Sequence, residues 1–393
     1  MEVIKAINGV FWGWLIAGIL LSCGIFYTIR LGFPQVRYFT QLVPNLWKAS
    51  RSATGVSAFG ALCSAIGSEV GAGSLVGVAT ALASGGPGAI FWMWITAILG
   101  MPIMFGEAVL AQIFRVKNED GTTFRGGPAY YMRRGLNAKV LPILFSISVI
   151  LGNGVVYCMV QSNSIAGSFS GQAELPPLAV GVILVALVGL VIFGGIKRLS
   201  TVASYIVPFM AFAYIILALI VLVTHAEWIA DMFRLIIDSA FGVQQAAGGV
   251  LGYSVQEAFR YGVARGLFSN DAGAGTTPSM HAAANVKHPV NQGLSGMLGV
   301  FVTTIIVCSC TAFCILLSGA LNGNLTGIQL TQAAFSSSFG DLGYWLVAAA
   351  MFLFGYTTLL ANMYYGEVNT RYLFPDKKHA VTVYRIFALC LIL

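Results

Sequence analysis

The sequence predicts an all-α integral membrane protein, built as an inverted-repeat secondary transporter. Three observations predict it. Of its 393 residues 58% are hydrophobic and only 9% charged, whereas a water-soluble domain carries about a quarter charged residues. The apolar residues fall in uncharged or nearly uncharged runs of about 20 residues, the length that crosses a bilayer as a helix. Two of those runs are interrupted by glycine at their centres, and paired interrupted helices are the best sequence pointer to a carrier with two inverted halves.

Taken in order, spans are predicted at 8–29, 57–84, 88–114, 140–168, 176–196, 200–224, 242–262, 292–319 and 341–366, with a tenth beginning near 381 and ending with the chain at Leu393. The first run has no basic region and small-residue cleavage site, so it is not read as a cleavable signal. Turn chemistry separates the spans at Ser84–Gly88, Glu174–Pro177 and Gly319–Asn324. Residues 227–237, EWIADMFRLII, are amphipathic and read as a helix lying on the membrane surface.

All but Lys5 and Arg234 of the 21 Lys and Arg fall in one alternating set of loops, with Arg260 and Arg265 assigned there at and beyond the end of the span 242–262. The positive-inside rule makes that set cytoplasmic and the N-terminus external, in a multi-pass protein of the cell inner membrane. The net charge of +7 is therefore topological and gives no support to a nucleic-acid partner. The seven cysteines all lie in apolar segments without a CxxC pair, so neither disulfides nor zinc is expected. No HExxH, GxSxG or GxxxxGK[ST] occurs, which argues against an intramembrane enzyme and against direct drive by ATP. A channel or a non-transporting membrane scaffold is the remaining class, and a paired break fits a carrier better than a pore ring.

The first interruption is GSEVGAGS, residues 67–74, with three glycines, two serines and Glu69 in eight positions. Glycine weakens a helix, and an ionised side chain near the midplane costs roughly 3 kcal/mol on insertion scales. The helix is therefore expected to unwind there and to face protein or water. Free N–H groups at Gly71, Gly73 and Ser74 would suit an anionic group, and freed carbonyls a cation. Close helix packing through Gly67-x-x-x-Gly71 and Gly73-x-x-x-Gly77 is the competing explanation. The second interruption is placed at Gly248, Gly249 and Gly252, inside 242–262, where close helix approach is again the alternative.

At these motifs the chain resembles the alanine or glycine:cation symporter family, which shares the fold of the bacterial leucine transporter. The likeness rests on TIRLGFPQVRYF (28–39), ALCSAIGSEVGAGSLVGVATAL (61–82), GVARGLFSNDAGAGTTPSMHAAA (262–284), HPVNQG (288–293) and YYGE (364–367). The resemblance implies a single transporter domain over 1–393. An extra N-terminal helix (8–29) would precede a five-helix repeat (57–224) and a second repeat (242–393) left incomplete, its C-terminal helices truncated at Leu393. It implies no cofactor, sodium as the coupling ion, and a small neutral amino acid as substrate; it leaves the oligomeric state open.

Residue by residue, the resemblance implies a substrate site at Gly71, Ala72, Gly73, Ser74, Gln161, Gly248, Gly249 and Asn362. It implies a sodium site from the Gly67 and Val70 carbonyls with the Thr357–Thr358 hydroxyls, hard oxygen ligands suited to a hard cation. The family pattern at the first break is roughly VGTGNIAGVA, and here Ala72 and Ser74 replace its threonine and asparagine. Asn362 stands where the family often has tryptophan. These departures point beyond alanine and glycine toward glutamine, asparagine or serine. Glu69 is a gating or proton-carrying candidate, and a proton-coupled carrier is the alternative to sodium coupling. Glu257 with Arg260 is a candidate inner-gate pair. Glu107, Asn270–Asp271 and His281 are read as structural or gating residues, the last three in a cytoplasmic loop.

Overall fold

A computed structural model describes residues 15–49, 55–170, 175–242, 255–377 and 379–393. The predicted Gly248, Gly249 and Gly252 lie outside the described residues. Apart from one antiparallel hairpin, Val116–Lys117 paired with Phe124–Arg125, and an isolated bridge between Val56 and Ala284, the described residues form helices and turns.

Helix α1 (Ile16–Arg30) precedes a bent span. Its first half, α2 (Ala58–Glu69), starts where the Ser57 hydroxyl accepts the Gly60 N–H, and stops at Val70, whose ψ of 77° leaves the helical region. A wide, π-helical turn at Gly73–Gly77 then leads into α3 (Val78–Gly85), and the two halves are bent by 45°. Next come α4 (Gly88–Ile113), α5 (Leu141–Phe169), α6 (Pro177–Ile192) and α7 (Gly195–Thr224). The predicted surface helix is α8 (Ile229–Ala240), which buries Met232 and Ile236 and turns Arg234 out toward Asp238. The remainder is α9 (Val255–Asn270), α10 (Pro278–Ala283), α11 (Pro289–Leu317), α12 (Gly327–Phe339), α13 (Asp341–Leu373) and α14 (Ala380–Ile392). Among the described residues five helices are long and apolar enough to cross a membrane, or six with the bent pair as one span.

The exterior matches a lipid environment: α7 turns Tyr205, Phe209, Phe212 and Val223 outward. The interior is organised on α13, which buries Met351, Phe354, Leu359, Met363 and Tyr365 completely. Its last turns carry charge yet stay helical to Leu373, beyond the predicted 366, because Arg371 pairs with Glu367 one turn back at 3.2 Å. Helix α12 has no counterpart among the predicted spans. Its sequence GIQLTQAAFSSSF has no apolar run, and it buries only one face, through Leu330, Ala334 and Phe335.

The main correction concerns the predicted second interrupted span. Helix α9 does not end near residue 262; it continues to Asn270. It runs alongside α4, with Gly262 against Trp92, Gly266 against Met93, and Asn270 near Gly100. It therefore descends from the Gly88 end of α4 to the middle of the molecule, antiparallel to the second half of the bent span, whose Gly73, Gly77 and Gly85 meet Phe268, Arg265 and Tyr261 in turn. Beyond Asn270 the chain unwinds over residues 271–277, in which Asp271, Gly273 and Gly275 all have positive φ (53°, 85° and 79°). Only glycine takes that region readily, so DAGAG is where helicity must stop. The glycine spacing in QQAAGGVLG singles out residues 248–252, but the unwound segment beside the first break is 271–277.

Two residue assignments change as a result. Glu257 and Arg260 form an i,i+3 pair at 4.0 Å, but the Glu257 carbonyl lies against Gly85, at the end of α4 opposite Arg115. The pair therefore lies at the end opposite the Arg115 loop and not beside it, as the inner-gate reading required, and Arg260 and Arg265 leave the basic set of loops. His281 is not in a solvated loop: it is fully buried in α10 and bonded through Nδ1 to the Gln292 side chain at 2.7 Å. Gln112 donates to the carbonyls of His281 and Ala284, and Arg115 to that of Ala284, so α4 holds the C-terminal end of α10.

Candidate functional site

Three helices carry a π-helical turn within their span, at Gly73–Gly77, Gly152–Tyr157 in α5 and Phe301–Cys308 in α11, and the first and third pack against each other. Such turns interrupt the regular hydrogen-bond ladder and occur mostly at functional positions. Around them the side chains of both unwound segments converge.

At the first break, the Ala72 N–H donates to Gln161 Oε1 at 3.0 Å, and Gln161 is buried. Gly71 is wedged between this amide and Thr358: a Cβ there would lie 3.0 Å from both Gln161 amide atoms and would collide with Thr358 Oγ1. Glycine at 71 is thus a close-approach requirement, and it keeps the backbone within reach of both side chains. The Ala72 N–H is not among the predicted donors; of those, Gly71 N–H bonds to the Glu69 carbonyl at 3.2 Å and Ser74 N–H to the Gly71 carbonyl at 3.1 Å. Gly73 serves packing, because a Cβ there would meet Phe268 and the Ser269 backbone at 3.3 Å. The Ser74 hydroxyl is used structurally, facing Ser269 Oγ at 3.4 Å and Cys308 Sγ at 3.6 Å.

Thr358 Oγ1 lies 2.9 Å from the Gly67 carbonyl and 2.9 Å from the Phe354 carbonyl. Thr357 Oγ1 bonds within α13, to Phe354 and Leu353 carbonyls at 3.0 and 3.2 Å, but its Cβ would stand 3.1 Å from a Cβ at Gly67. Val70 is buried at the end of α2, one residue before Gly71. The residues expected to hold a cation are therefore adjacent, and the Gly67 carbonyl, Phe354 carbonyl and Thr358 hydroxyl form a cluster of hard oxygens.

Asn362, one turn along α13 from Thr358, accepts at Oδ1 from Asn153 Nδ2 at 3.1 Å, while its own Nδ2 has no partner. Asn153 in turn lines a cavity of about 590 Å³ between α1, α5 and the second unwound segment. Its polar lining is Ser148, Asn153, Tyr157, Asp271 and Thr276, set in apolar wall from Leu20 and Phe145. Tyr157 and Phe268 meet edge to face, centroids 5.4 Å apart, and Phe268 backs onto Gly73. An aromatic pair therefore stands between the cavity and the first break. Asp271 accepts from the Thr276 and Thr277 hydroxyls at 3.2 and 3.3 Å, and Glu107 accepts the Gly273 N–H at 3.1 Å. These carboxylates shape the second segment as Gln161 shapes the first.

Glu69 is 2% exposed and neither carboxylate oxygen has a hydrogen-bond partner. It faces Gly299 on α11; Thr303 on the same helix lies beside it but donates to the Val300 carbonyl at 3.3 Å. A bare buried carboxylate is expensive unless a proton or a cation neutralises it.

Sequence reasoning does not single out Asn153, Tyr157 or Phe268, and it misplaces Asp271. The signal for Asp271 is present in NDAGAG, a carboxylate beside two glycines, but the stretch reads as a solvated loop. Nothing local marks Asn153, whose partner is 209 residues away.

Comparison with known proteins agrees along the whole chain. The profile described as the sodium:alanine symporter family matches residues 1–393. A probable sodium/glutamine symporter of Bacillus subtilis is 43% identical over 394 residues, covering 100% of this chain and 81% of that protein. A sodium/alanine symporter of Methanococcus maripaludis is 36% identical, covering 98% and 86%. A putative sodium/proton-dependent alanine carrier of Bacillus subtilis is 41% identical, covering 95% and 78%. Among solved structures, the manganese transporter of Eremococcus coleocola aligns with a TM-score of 0.57 at 12% identity, over 85% of this chain and 68% of that one. The last likeness concerns the fold alone.

Proposed function

The chain belongs to the sodium:alanine symporter family, and from that premise we propose that it imports a neutral amino acid with sodium by alternating access around the two unwound segments. It is a multi-pass membrane transporter and not an enzyme. The finer reading is that α2–α7 and the stretch from α9 onward act as inverted halves of one domain, with the N-terminus external.

The observation that carries the reading is the pair of contacts flanking Gly71. On one side Gln161 Oε1 sits on the Ala72 N–H; on the other, Thr358 Oγ1 sits against the Gly67 carbonyl. A substrate carboxylate oxygen would take the place of the Gln161 oxygen on that N–H, and the released amide would turn its NH2 to the same carboxylate. A sodium ion would lodge between the Thr358 hydroxyl oxygen and the Gly67 carbonyl, the hydroxyl keeping its proton and turning it to the Phe354 carbonyl, with Thr357 and the Val70 carbonyl completing the shell. Asp271 supplies the negative group for the substrate ammonium, from the opposite segment. Carboxylate and ammonium are then each held by a different half of the carrier, so binding favours bringing the halves together.

The substrate side chain is assigned to the Asn153–Asn362 pair. The free Nδ2 of Asn362 is a buried donor without an acceptor, which a ligand carbonyl or hydroxyl would satisfy at a gain of roughly 1–3 kcal/mol over one that cannot. This favours glutamine, asparagine or serine over alanine, and Ser74 and Ala72 leave the wall small. Counterflow of labelled glutamine in proteoliposomes, competed by each unlabelled amino acid, tests it. Competition by alanine and glycine alone would reject the amide preference while leaving the carrier standing.

A second reading is favoured by Glu69. Its unpartnered carboxylate is suited to take up a proton, so that a pH gradient would replace or supplement the sodium gradient.

A further inference from the structure

At the basic end of the molecule a cavity of about 370 Å³ is lined by Arg125, Arg133, Arg134 and Arg371, with Tyr130 and Tyr372, and no carboxylate lines it. We propose that this cavity is an anion site for a phosphate group, carried by an acidic phospholipid headgroup or by a soluble phosphate.

The charges are not balanced within the protein. Glu367 is buried and bonds both Arg371, at 3.2 Å, and Arg385, at 2.7 Å, so one carboxylate serves two guanidiniums. Arg125 has no acidic partner: it bonds the neutral Asn118 side chain at 3.3 Å and lies against the Tyr130 hydroxyl, and its Nε is buried without a hydrogen bond of good geometry. The Tyr130 hydroxyl lies near that guanidinium but is also buried without a partner. Arg133 has only the Ala138 carbonyl, at 3.5 Å. Among the described residues no carboxylate pairs with Arg125, Arg133 or Arg134. Four like charges around one cavity repel unless an anion joins them, and the guanidinium fork fits phosphate oxygens in pairs.

The walls are built. Tyr130 and Tyr372 meet edge to face with centroids 5.2 Å apart, joining the short helix Pro128–Gly135 to the end of α13. Just beyond the arginines, Leu136, Val140 and Leu141 are exposed where α5 begins, which sets the site at the level of lipid headgroups. A phosphate held there would tie the inner end of α13, the helix of Thr357, Thr358 and Asn362, to the connection between α4 and α5. Positive loops alone attract anionic lipid diffusely; a carboxylate-free cavity with unpartnered buried donors predicts a discrete site.

The test uses the purified full chain, its Arg133→Gln/Arg134→Gln double variant, and Lys287→Gln as a control at an exposed basic residue of the same end. Thermal midpoints are measured in neutral detergent with phosphatidylglycerol, with phosphatidylcholine and with inorganic phosphate, and native mass spectrometry counts retained lipid. Phosphatidylglycerol should stabilise the chain and the Lys287→Gln control, with affinity reduced at least tenfold in the double variant, if the source is lipid. The same pattern with inorganic phosphate identifies a soluble source. Equal response of all three proteins, or no preference for either phosphate probe over phosphatidylcholine, overturns the site. The readout is binding, so it stands or falls independently of the transport reading.

Discussion

The Gln161 side chain reaches across 89 residues of sequence to accept the Ala72 N–H at 3.0 Å, closing the first break with an oxygen from α5. A buried N–H without an acceptor costs about as much as a lost hydrogen bond, so the Gln161 oxygen is a stand-in for the helix carbonyl that the break removes. In the function proposed above, this N–H is the donor that a substrate carboxylate would use, and Gln161 is the side chain that would move aside.

Gln161→Leu removes the stand-in and the amide that would grip the carboxylate. The expected outcome is a roughly tenfold or greater rise in the substrate concentration for half-maximal counterflow, with a folded, membrane-inserted protein. An unchanged half-saturation would remove Gln161 from the site.

Thr358→Val keeps the side-chain shape and deletes the hydroxyl facing the Gly67 carbonyl. The sodium concentration for half-maximal uptake should rise about tenfold, in line with loss of one charge-bearing contact. Thr357→Val should do less, because that hydroxyl bonds within its own helix. Equal and small effects of both would count against the sodium assignment.

Asn362→Ala deletes the oxygen that accepts from Asn153 together with the unpartnered Nδ2 donor. Glutamine and asparagine should lose potency as competitors by about tenfold relative to alanine. If all three competitors weaken together, Asn362 shapes the helix contact and not the ligand.

Glu69→Gln replaces an unpartnered buried carboxylate with a neutral group of the same size. If Glu69 carries a proton, the variant loses any response of uptake to an imposed pH gradient while sodium-driven uptake persists. A pH response that survives the substitution would assign the proton elsewhere.

Much of the fold was legible because apolar runs of bilayer length leave little freedom. Helices α1 to α7, the amphipathic α8 and the long α11 and α13 follow the predicted segments and their turns. The bend at Val70 was legible because glycine and a carboxylate fall together inside one run. The second unwound segment was not, because α9 reads VQEAFRYGVARGLFSN, polar enough to resemble a loop, whereas its glycines at 262 and 266 pack it against α4. Gly73 and Ser74 were legible as parts of the break, but their packing against Phe268 and Ser269 was not. Whether a small residue opens space for a ligand or for a neighbouring helix depends on contacts some 195 residues away, such as Ser74 to Ser269. Asn153 and Asp271 acquire meaning only from partners that the fold brings to them.

The most direct test of the central claim is uptake of labelled amino acid into proteoliposomes of the purified chain under an inward sodium gradient, with potassium replacing sodium in the control. The account predicts accumulation of glutamine or alanine above equilibrium with sodium, collapse on replacement by potassium, and a strongly raised sodium requirement in Thr358→Val. Accumulation that is equal in potassium and in sodium, and unaffected by Thr358→Val, would contradict it.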